Sequence, residues 1–552
     1  MRAFFGGRGR LVLLFLAASG IVAALLMFPA PPEAAPATYG GRMPLGPDGL
    51  QTRASPVTTP APGVSYQTFT QGAPSDRWTV WVRRNGVETF GNKSIAEEFV
   101  TELEADGFTG TLATFFSPAS SDTPGTVIGY GVRVGSFPPE NKAGVDRLAG
   151  RVREKGYGAR VVYTALDGLP SDGPWKVHVV RVAPTAAVSF RAVHGSDIAT
   201  SETVHRMAAA SGAVAAVNGS EFDIRTSPGF SGFEGVPQGL YVKDGVLLGA
   251  ANNGRSALLL QGTGARLRVT ETTSTLQVTA PDGRVRAIDG VNRVPGRVAG
   301  CGGVGGDQLG PSGSKKPTLK PWRNQLCLDA NEIVMFRPEW GRSTPTPHTG
   351  VTDSVDVVLT DEWVVKEVRS PAGGAIPAGS RVLQGIGAGA EWLRTGAAVG
   401  ASFKFGATIR DADGGVVAGP ALSAVAGGGP ALVRGGEIFV NVAANGLTSL
   451  NGEPNMTLVQ RHPRTMAGVT ESGEVLLVTV DGRAVDSSVG VTWTEAAAVM
   501  KWLGATEAIG LGSGGDTTMV IDGDVANRPM DDWGRRSTER KVSNAIVVVP
   551  QL

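Results

Sequence analysis

Apolar and polar side chains alternate over many short stretches of this sequence, and turn residues separate those stretches. Trp78–Val82 is the first clear example, and a period of two predicts a strand with one buried face. A period closer to 3.6 follows at Ile95, Phe99 and Leu103, after a capping-box start at Ser94. This stretch therefore predicts a strand followed by a helix.

The same order of elements recurs in the next part of the chain. Tyr130–Val134 alternates like a strand, a helical pattern runs to Gly156, and Ala159–Tyr163 alternates again. Two consecutive β-α-β patterns can share one antiparallel sheet. We therefore predict a small ferredoxin-like domain over residues 76–166.

Residues 175–552 contain many further alternating stretches, broken by Gly-Pro and Asp-Gly turns. Helical patterns are few in this part, and the clearest begins with a capping box formed by Thr492 and Glu495 and ends at Gly504. These features predict one large, strand-rich domain of mixed α and β structure. The predicted fold class of the whole chain is α+β.

The first segment of the chain lacks this alternation. Leu11–Phe28 is an uninterrupted apolar run behind three arginines, and at about 1.5 Å per residue a helix of that length can cross a bilayer core. We predict a transmembrane anchor at residues 1–28, hence a single-pass cell-membrane protein with extracytoplasmic C-terminal domains. Cleavage at Ala35–Ala37, a small-x-small site, is the alternative and would give a secreted protein.

Composition and charge change this picture in two ways. Residues 29–75 are rich in Pro, Ala, Thr and Gly and show no sustained period, so we predict a linker that does not fold. The formal net charge of the chain is +1, which argues against a nucleic-acid partner.

The two cysteines, Cys301 and Cys327, lie in a segment rich in Gly, Pro and Lys. Outside the cytoplasm, two cysteines separated by a modest loop favour a disulfide over a metal site, which would need more ligands. The five histidines show no paired spacing that could supply those ligands. Two buried free thiols are the alternative.

Val132–Phe137, followed by an amphipathic helix, resembles the SPOR family of septal peptidoglycan-binding domains. The first β-α-β pattern matches that family more loosely and lacks its Gly-Ser-Phe turn. The resemblance covers residues 76–166 and implies that this domain binds the glycan strands of peptidoglycan without catalysis. A ferredoxin-like spacer is the alternative.

Polar segments interrupt the strand pattern of the large domain at five places: Asn218–Asp223, His462–Thr465, Asp481–Arg483, Leu511–Met519 and Arg540–Asn544. Taken singly, each can be a turn, a hairpin or a solvated charge, and the glycine-rich run lacks the lysine of a P-loop. Together, their order and content resemble the phosphodiester glycosidase family over most of residues 175–550. The resemblance implies a substrate in which the anomeric carbon of a sugar is joined to a phosphodiester.

The chemistry of such a substrate accounts for these residue types. Arginine offers paired donors to phosphate oxygens, and backbone N–H groups of a glycine loop can approach the same anion. A phosphate leaving group needs little proton assistance, so one carboxylate can act on an oxocarbenium-like transition state. The residues predicted to bind substrate or phosphate are Asn218, Arg464, Thr465, Arg483, Gly514, Gly515, Arg540 and Asn544. The predicted catalytic residues are Glu221, Asp223, Asp481 and Asp516.

Within the catalytic set, Asp223 and Asp481 are predicted to act near the anomeric carbon or to hold a divalent cation. The chain also departs from the family pattern: Gly512 replaces an aspartate, His462 replaces an asparagine, and the carboxylates of Glu221 and Asp516 are additional. The sequence therefore predicts an envelope hydrolase with an altered active-site loop, acting on peptidoglycan-associated or phosphorylated polysaccharide. The alternative is a degenerate glycan-binding scaffold. A metal-dependent phosphodiesterase is disfavoured because no dense Asp/His cluster is present.

Overall fold

Short alternating stretches between turns form strands in the computed structural model. It describes residues 41–223, 235–261, 266–309, 320–346, 351, 353–449, 452–530 and 536–551. No helix among these residues is long and apolar enough to cross a membrane. The predicted anchor at residues 1–28 lies outside the described residues. The predicted single-pass membrane location is corrected, because the described part of the chain contains no helix that could span a membrane.

The segment before the small domain is ordered from residue 41 onward. It contains three strands: β1 (Thr52–Ala54), β2 (Thr58–Ala61) and β3 (Val64–Gln71). β3 pairs along its whole length with β9 (Trp175–Val182) of the large domain, and Val64 and Phe69 are buried. The linker predicted for residues 29–75 is therefore wrong in this part. A strand needs few apolar side chains when a neighbouring sheet supplies the rest of the core.

Residues 76–166, called the small unit below, contain two helices and five strands. Their bounds are β4 (Trp78–Arg83), β5 (Thr89–Phe90), α1 (Lys93–Ala105), β6 (Gly110–Ser117), β7 (Thr126–Phe137), α2 (Lys142–Glu154) and β8 (Gly158–Tyr163). β4 lies between β8 and β7, β6 pairs with the other side of β7, and every pairing is antiparallel. α1 begins at Asn92, whose side chain accepts a hydrogen bond from the Ser94 amide at 2.9 Å, so the predicted cap at Ser94 is displaced by two residues.

The two faces of the small-unit sheet have different neighbours. Both helices cover one face, where Val80, Val132 and Phe99 are buried together. On the other face, Trp81 and Phe115 stack and pack against Met456 of the large domain. The small unit is thus part of the same compact body, Gly41–Leu552, as the large domain.

The large domain consists mainly of strands. They are β9 (above), β10 (Val188–His194), β11 (Ala215–Asn218), β12 (Tyr241–Lys243), β13 (Val246–Gly249), β14 (Arg255–Gln261), β15 (Leu267–Thr279), β16 (Val285–Ala287), β17 (Gly290–Val291), β18 (Arg297–Cys301), β19 (Gln308–Leu309), β20 (Pro321–Leu328), β21 (Ile333–Phe336), β22 (Ser354–Thr360), β23 (Val365–Arg369), β24 (Ser380–Ile386), β25 (Lys404–Arg410), β26 (Leu422–Ala426), β27 (Ala431–Arg434), β28 (Glu437–Ile438), β29 (Arg464–Thr470), β30 (Val475–Val480), β31 (Ala505–Gly510), β32 (Met519–Ile521), β33 (Asp524–Val525) and β34 (Asn544–Pro550). The helices are α3 (Val204–Ser211), α4 (Ala388–Gly396), α5 (Met456–Val459) and α6 (Trp493–Trp502).

Two sheets of this domain carry the segments that the sequence marked as polar. One has the order β1-β3-β9-β30-β29-β31-β27-β28, and the other has the order β10-β34-β11-β32-β33. Three further sheets follow the orders β13-β12-β26-β14-β15-β16, β17-β21-β24-β22-β23 and β18-β20-β19. Val180, Leu477 and Ile546 belong to one buried apolar cluster that joins the first two sheets.

The predicted fold class needs correction. The chain is strand-rich, its helices are short, and the described residues contain no transmembrane helix. The α+β prediction gave the helices too much weight, because isolated helical patterns such as α6 stand out in a sequence whose strands are individually short. The capping box of α6 is present, with Thr492 and Glu495 bonded reciprocally as predicted.

Candidate active site

The strand pairing brings four of the polar segments together as two pairs. In the antiparallel pair of β29 and β30, Arg464 lies opposite Val480, directly before Asp481. In the pair of β11 and β34, Asn218 lies opposite Ala545. The loop that follows β31 then crosses from the first sheet to the second, because its Leu511 amide bonds to the Thr465 carbonyl and its Gly512 amide to the Gly219 carbonyl.

Two buried asparagines hold the polar segments together. Asn218 donates to the Gly512 carbonyl at 2.8 Å, and its side-chain oxygen accepts from the Thr465 hydroxyl at 2.6 Å and the Thr518 amide at 3.1 Å. Asn544 accepts from the Ser220 amide and donates to the Ser220 hydroxyl, both at 2.8 Å. Since the nitrogen and the oxygen of each amide have protein partners, Asn218 positions the loop and Asn544 positions Ser220.

Gly512 explains one departure from the family pattern. A Cβ at this position would lie 2.9 Å from the Asn218 side-chain nitrogen and 3.1 Å from the Gly219 carbonyl oxygen. An aspartate there would require these neighbours to move, so the carboxylate of this loop lies at Asp516 instead. Gly514 and Gly515 begin the short 3-10 turn that presents it.

Arg464 is fully buried beneath the loop. Its guanidinium donates to the carbonyls of Val491, Thr457 and Gln460 at 3.1 to 3.2 Å, and to the Ser513 hydroxyl at 3.1 Å. Its guanidinium carbon also lies 3.9 Å from the ring centre of Trp493. Burial, followed by the charges of neighbouring arginines, lowers the pKa of this group. The contacts favour a role in orienting Ser513 over the predicted direct phosphate contact.

Arg323, which the sequence did not single out, reaches the same hydroxyl. Its Nη2 lies 3.5 Å from the Ser513 oxygen and also bonds to Glu221. Arg323 is 8% exposed, and its Nε and Nη1 have no hydrogen-bond partner among the residues that the structure describes. Buried donors of this kind are costly unless a partner satisfies them. An anion with several oxygens, such as a phosphate, would supply that partner.

The position of Arg323 depends on the disulfide. Cys301 and Cys327 are bonded as predicted and join β18 to β20, the strand that contains Arg323. No motif in the sequence identifies this arginine, since its importance arises only when the β18–β20 pair folds against the loop. Its neighbour in that fold is Arg255, which also donates to Glu221, at 3.3 Å.

Asp516 is the second carboxylate of the site. It accepts a hydrogen bond from Arg540 at 2.9 Å and is 5% exposed. The pKa of Asp516 is raised to about 6, chiefly by burial; Arg540 and Arg323 oppose this rise, and the charge of Glu221 contributes to it. Glu221, Asp516, Arg323 and Arg540 therefore lie within one electrostatic neighbourhood, and two carboxylates with different partners can take different roles.

His462 and Arg483 border the loop on its other side. Arg483 donates to Nδ1 of His462 at 3.2 Å, and its Nη2 lies 2.9 Å from where a Cβ of Gly514 would be. Burial and the charges of Arg464 and Arg483 lower the pKa of His462 well below its usual value, so this ring is neutral at pH 7. A neutral ring that accepts at Nδ1 carries its hydrogen at Nε2.

The two remaining predicted carboxylates lie among other neighbours. Asp481 accepts from the Arg528 amide at 2.9 Å and lies 3.1 Å from Nε2 of His178, whose Nδ1 contacts the Tyr66 hydroxyl. Asp223 lines a cavity of about 60 Å³ together with Arg297. Their different neighbours, within the part of the chain that is described, disfavour the predicted joint cation site.

Another carboxylate cluster has the spacing of cation ligands. One oxygen each of Asp307, Asp329 and Glu332 lies within 4.8 Å of the others. Arg293 already donates to Glu332 at 2.5 and 2.8 Å, and burial raises the pKa of Asp307 to about 7. Arg293 and the raised pKa of Asp307 reduce the negative charge of this cluster, which makes it a weaker cation site. A divalent cation bound to this protein stays a prediction.

A buried arginine with spare donors, a glycine-rich loop and two unlike carboxylates form a site with the features of an anion-binding pocket. The phosphodiester glycosidase family model matches residues 353–549 of this chain. The resemblance inferred from the polar segments is confirmed for this part of the sequence. The SPOR resemblance of the small unit stays a prediction.

Three solved structures are among those that match this chain. A Burkholderia pseudomallei protein whose name describes it as exported is 29% identical, with a TM-score of 0.80, over 93% of this chain and 99% of its own. A hypothetical protein from Synechocystis is 15% identical, with a TM-score of 0.49, over 91% and 81%. The zebrafish N-acetylglucosamine-1-phosphodiester alpha-N-acetylglucosaminidase catalytic domain is 14% identical, with a TM-score of 0.31, over 80% and 84%. The TM-scores of the last two structures are below 0.5, so no property of those two proteins is carried over to this chain. No curated protein matches the sequence.

Proposed function

We propose that this protein is a hydrolase that cleaves the bond between the anomeric carbon of a sugar and the phosphate oxygen of a glycosyl phosphodiester. The observation that carries the proposal is Arg323, whose buried Nε and Nη1 lack partners among the described residues next to Ser513 and two carboxylates. The family match over residues 353–549 supports the same substrate class.

The proposed reaction uses the two carboxylates differently. Arg323 and the Ser513 hydroxyl bind the phosphate, and Glu221 keeps Arg323 oriented through their ion pair. The ionised carboxylate of Asp516 accepts a proton from water, whose oxygen then bonds to the anomeric carbon. The bond from that carbon to the phosphate oxygen breaks, its electron pair stays on the oxygen, and a phosphate monoester leaves with little proton assistance.

Two observations support an extracytoplasmic site of action. The Cys301–Cys327 disulfide is of a kind that persists in oxidising compartments. The name of the Burkholderia pseudomallei relative describes an exported protein.

The test uses p-nitrophenyl phosphodiesters of N-acetylglucosamine, glucose and mannose, each joined through the anomeric carbon. Cleavage at that carbon yields free sugar and p-nitrophenyl phosphate, which turns yellow only after an added phosphatase. Cleavage of the bond from phosphorus to the nitrophenyl oxygen would release the yellow p-nitrophenol at once. Reaction in ¹⁸O-labelled water should place the label in the sugar.

The alternative of a glycan-binding scaffold has its own outcome in this test. Calorimetric binding of glycosyl phosphates without turnover of any of the three substrates would contradict the hydrolase proposal. If Arg323→Gln binds glycosyl phosphates as well as the wild type does, the proposed anion site is wrong, whether the protein is a hydrolase or a scaffold. Arg181→Gln is a matched control, since Arg181 is also largely buried and paired with a glutamate, Glu474.

A further inference from the structure

A cleft of about 810 Å³ lies between the small unit and the large domain. Trp78, Glu88 and Arg160 of the small unit line one wall, and His462 and Arg483 line the opposite wall. His462 and Arg483 also border the glycine-rich loop of the candidate active site. The cleft therefore shares two of its lining residues with the border of the loop that carries Ser513 and Asp516.

The two walls of the cleft are held together by specific hydrogen bonds. Arg461 of the large domain donates to the carbonyls of Ala165 and Leu169, both at 2.7 Å. Asp122 of the small unit accepts from the backbone amides of Val442 and Ala444 at 2.7 and 2.9 Å. Backbone partners on both sides define the separation of the walls, so the cleft is a built feature of the fold.

Cationic side chains outnumber acidic ones along the cleft. Lys142, Arg160, Arg461 and Arg483 line it, against Glu88 and Asp167. Three of these groups have ion-pair partners outside the lining: Asp167 pairs with Arg133, Lys142 with Asp146, and Arg461 with Glu495. With these partners counted, an excess of one positive charge remains, and it favours an anionic occupant because its attraction extends over several ångströms in a concave site.

Arg160 is the cleft cation best placed to contact such an occupant. Its side chain is 39% exposed, it donates from Nε to Glu88 at 2.7 Å, and it lies over the ring of Trp81 at 5.0 Å. Its charge contributes to the lowered pKa of His462 on the opposite wall. A partly exposed guanidinium held by a carboxylate and an aromatic ring is pre-oriented to bind an anionic group.

We infer that this cleft is the subsite for the aglycone side of a polymeric, anionic glycan phosphodiester, and that Arg160 binds an anionic group beyond the bond that is cleaved. This inference rests on the proposed hydrolase function. It makes the small unit one wall of the substrate site. A cleft of this volume is large enough for more than one sugar residue, and its aromatic and charged lining suits a chain of phosphate-linked sugars.

The experiment compares two substrates that share the reacting bond. One is the methyl phosphodiester of a sugar 1-phosphate, and the other is a polymer of about ten sugar 1-phosphate repeats. The readout is the ratio of kcat/KM for the polymer to kcat/KM for the methyl ester. We expect Arg160→Gln to lower this ratio roughly tenfold, Arg160→Lys to restore most of it, and added salt to reduce the wild-type ratio.

Arg84→Gln is the matched control, because Arg84 is also paired with a glutamate, Glu102, and lies over an aromatic ring, Phe99, on the helical side of the small unit. It should leave both rates unchanged. A ratio that Arg160→Gln does not lower, in a variant with unchanged thermal unfolding, overturns the inference. If neither substrate is cleaved, the proposed function fails, and polymer binding by calorimetry decides the cleft separately: equal polymer affinity in wild type and Arg160→Gln rejects it.

Discussion

At the scale of residues, the side chains around Ser513 divide into those whose nitrogens and oxygens all have protein partners and those with buried donors that lack a partner among the described residues. Asn218, Asn544 and Arg464 belong to the first kind, and Arg323 belongs to the second. The sequence could identify the first kind because they lie in compact motifs. It could not identify Arg323, because a lone arginine on a strand acquires its meaning only from what folds around it.

Arg323→Gln tests the anion site directly. Removing charge-assisted hydrogen bonds worth about 1.5–3 kcal/mol should weaken the binding of glycosyl phosphates roughly 10- to 150-fold. Arg323→Lys should give an intermediate loss, because a lysine keeps the charge without the paired donors. Calorimetric titration with a sugar 1-phosphate measures both effects, and an affinity unchanged in both variants would contradict the site.

The pH dependence of kcat/KM tests Asp516. Its pKa is raised to about 6, so the carboxylate is protonated below that pH and ionised above it. The proposed base must be ionised, so activity should rise as pH increases through about 6. Arg540→Gln removes a charge that lowers this pKa, so the rising limb should move to higher pH.

Arg191→Gln is the control for that profile, since Arg191 pairs with Asp244 at the exposed surface. The rising limb of the pH profile of Arg191→Gln should coincide with that of the wild type. Activity that instead falls as pH increases through about 6 would assign Asp516 the role of an acid. A limb that Arg540→Gln does not shift would mean that another group titrates.

At the scale of elements, agreement between sequence and structure was good where a pattern is local. The capping box at Thr492 starts α6, and the strand–helix order of the small unit follows its periodicity. Agreement failed where a strand depends on distant neighbours. β3 has too few apolar residues to be recognised alone, yet it pairs with β9 along its whole length.

The disulfide gives a prediction at this scale. Cys301 and Cys327 are 26 residues apart, and removing a bond that closes such a loop costs about 3 kcal/mol in the chain-entropy model. Changing both cysteines to alanine should lower the free energy of unfolding in guanidinium by about that amount. It should also weaken phosphate binding, because β20 positions Arg323. Loss of stability with unchanged phosphate affinity would show that the disulfide stabilises the fold but does not position Arg323.

At the scale of the whole molecule, the first described strands, the small unit and the large domain form one body. The sequence suggested a chain of separate modules, since low-complexity composition between two periodic regions is typical of linkers. Peptidoglycan binding by the small unit stays a prediction. The sheet face that packs on Met456 is not the exposed surface that a free-standing module would offer.

Phe69→Ala distinguishes an integral strand from a linker. Phe69 is 2% exposed and meets Trp502 edge-on, with ring centres 5.2 Å apart. Truncating a buried phenylalanine costs about 3–5 kcal/mol, so the melting temperature should fall by several degrees. Phe116→Ala is the control, because Phe116 is 56% exposed. Equal melting temperatures for the two variants would favour the original prediction that this segment is a linker.

The hydrogen bonds between Ser220 and Asn544 span 324 residues of sequence. The family match begins at residue 353, whereas Asn218, Glu221, Arg255 and Arg323 precede it. A fragment that contains the matched region alone would carry Asp516 but would lack Glu221 and Arg323. The proposed anion site therefore depends on strands that precede the matched region as well as on the loop within it.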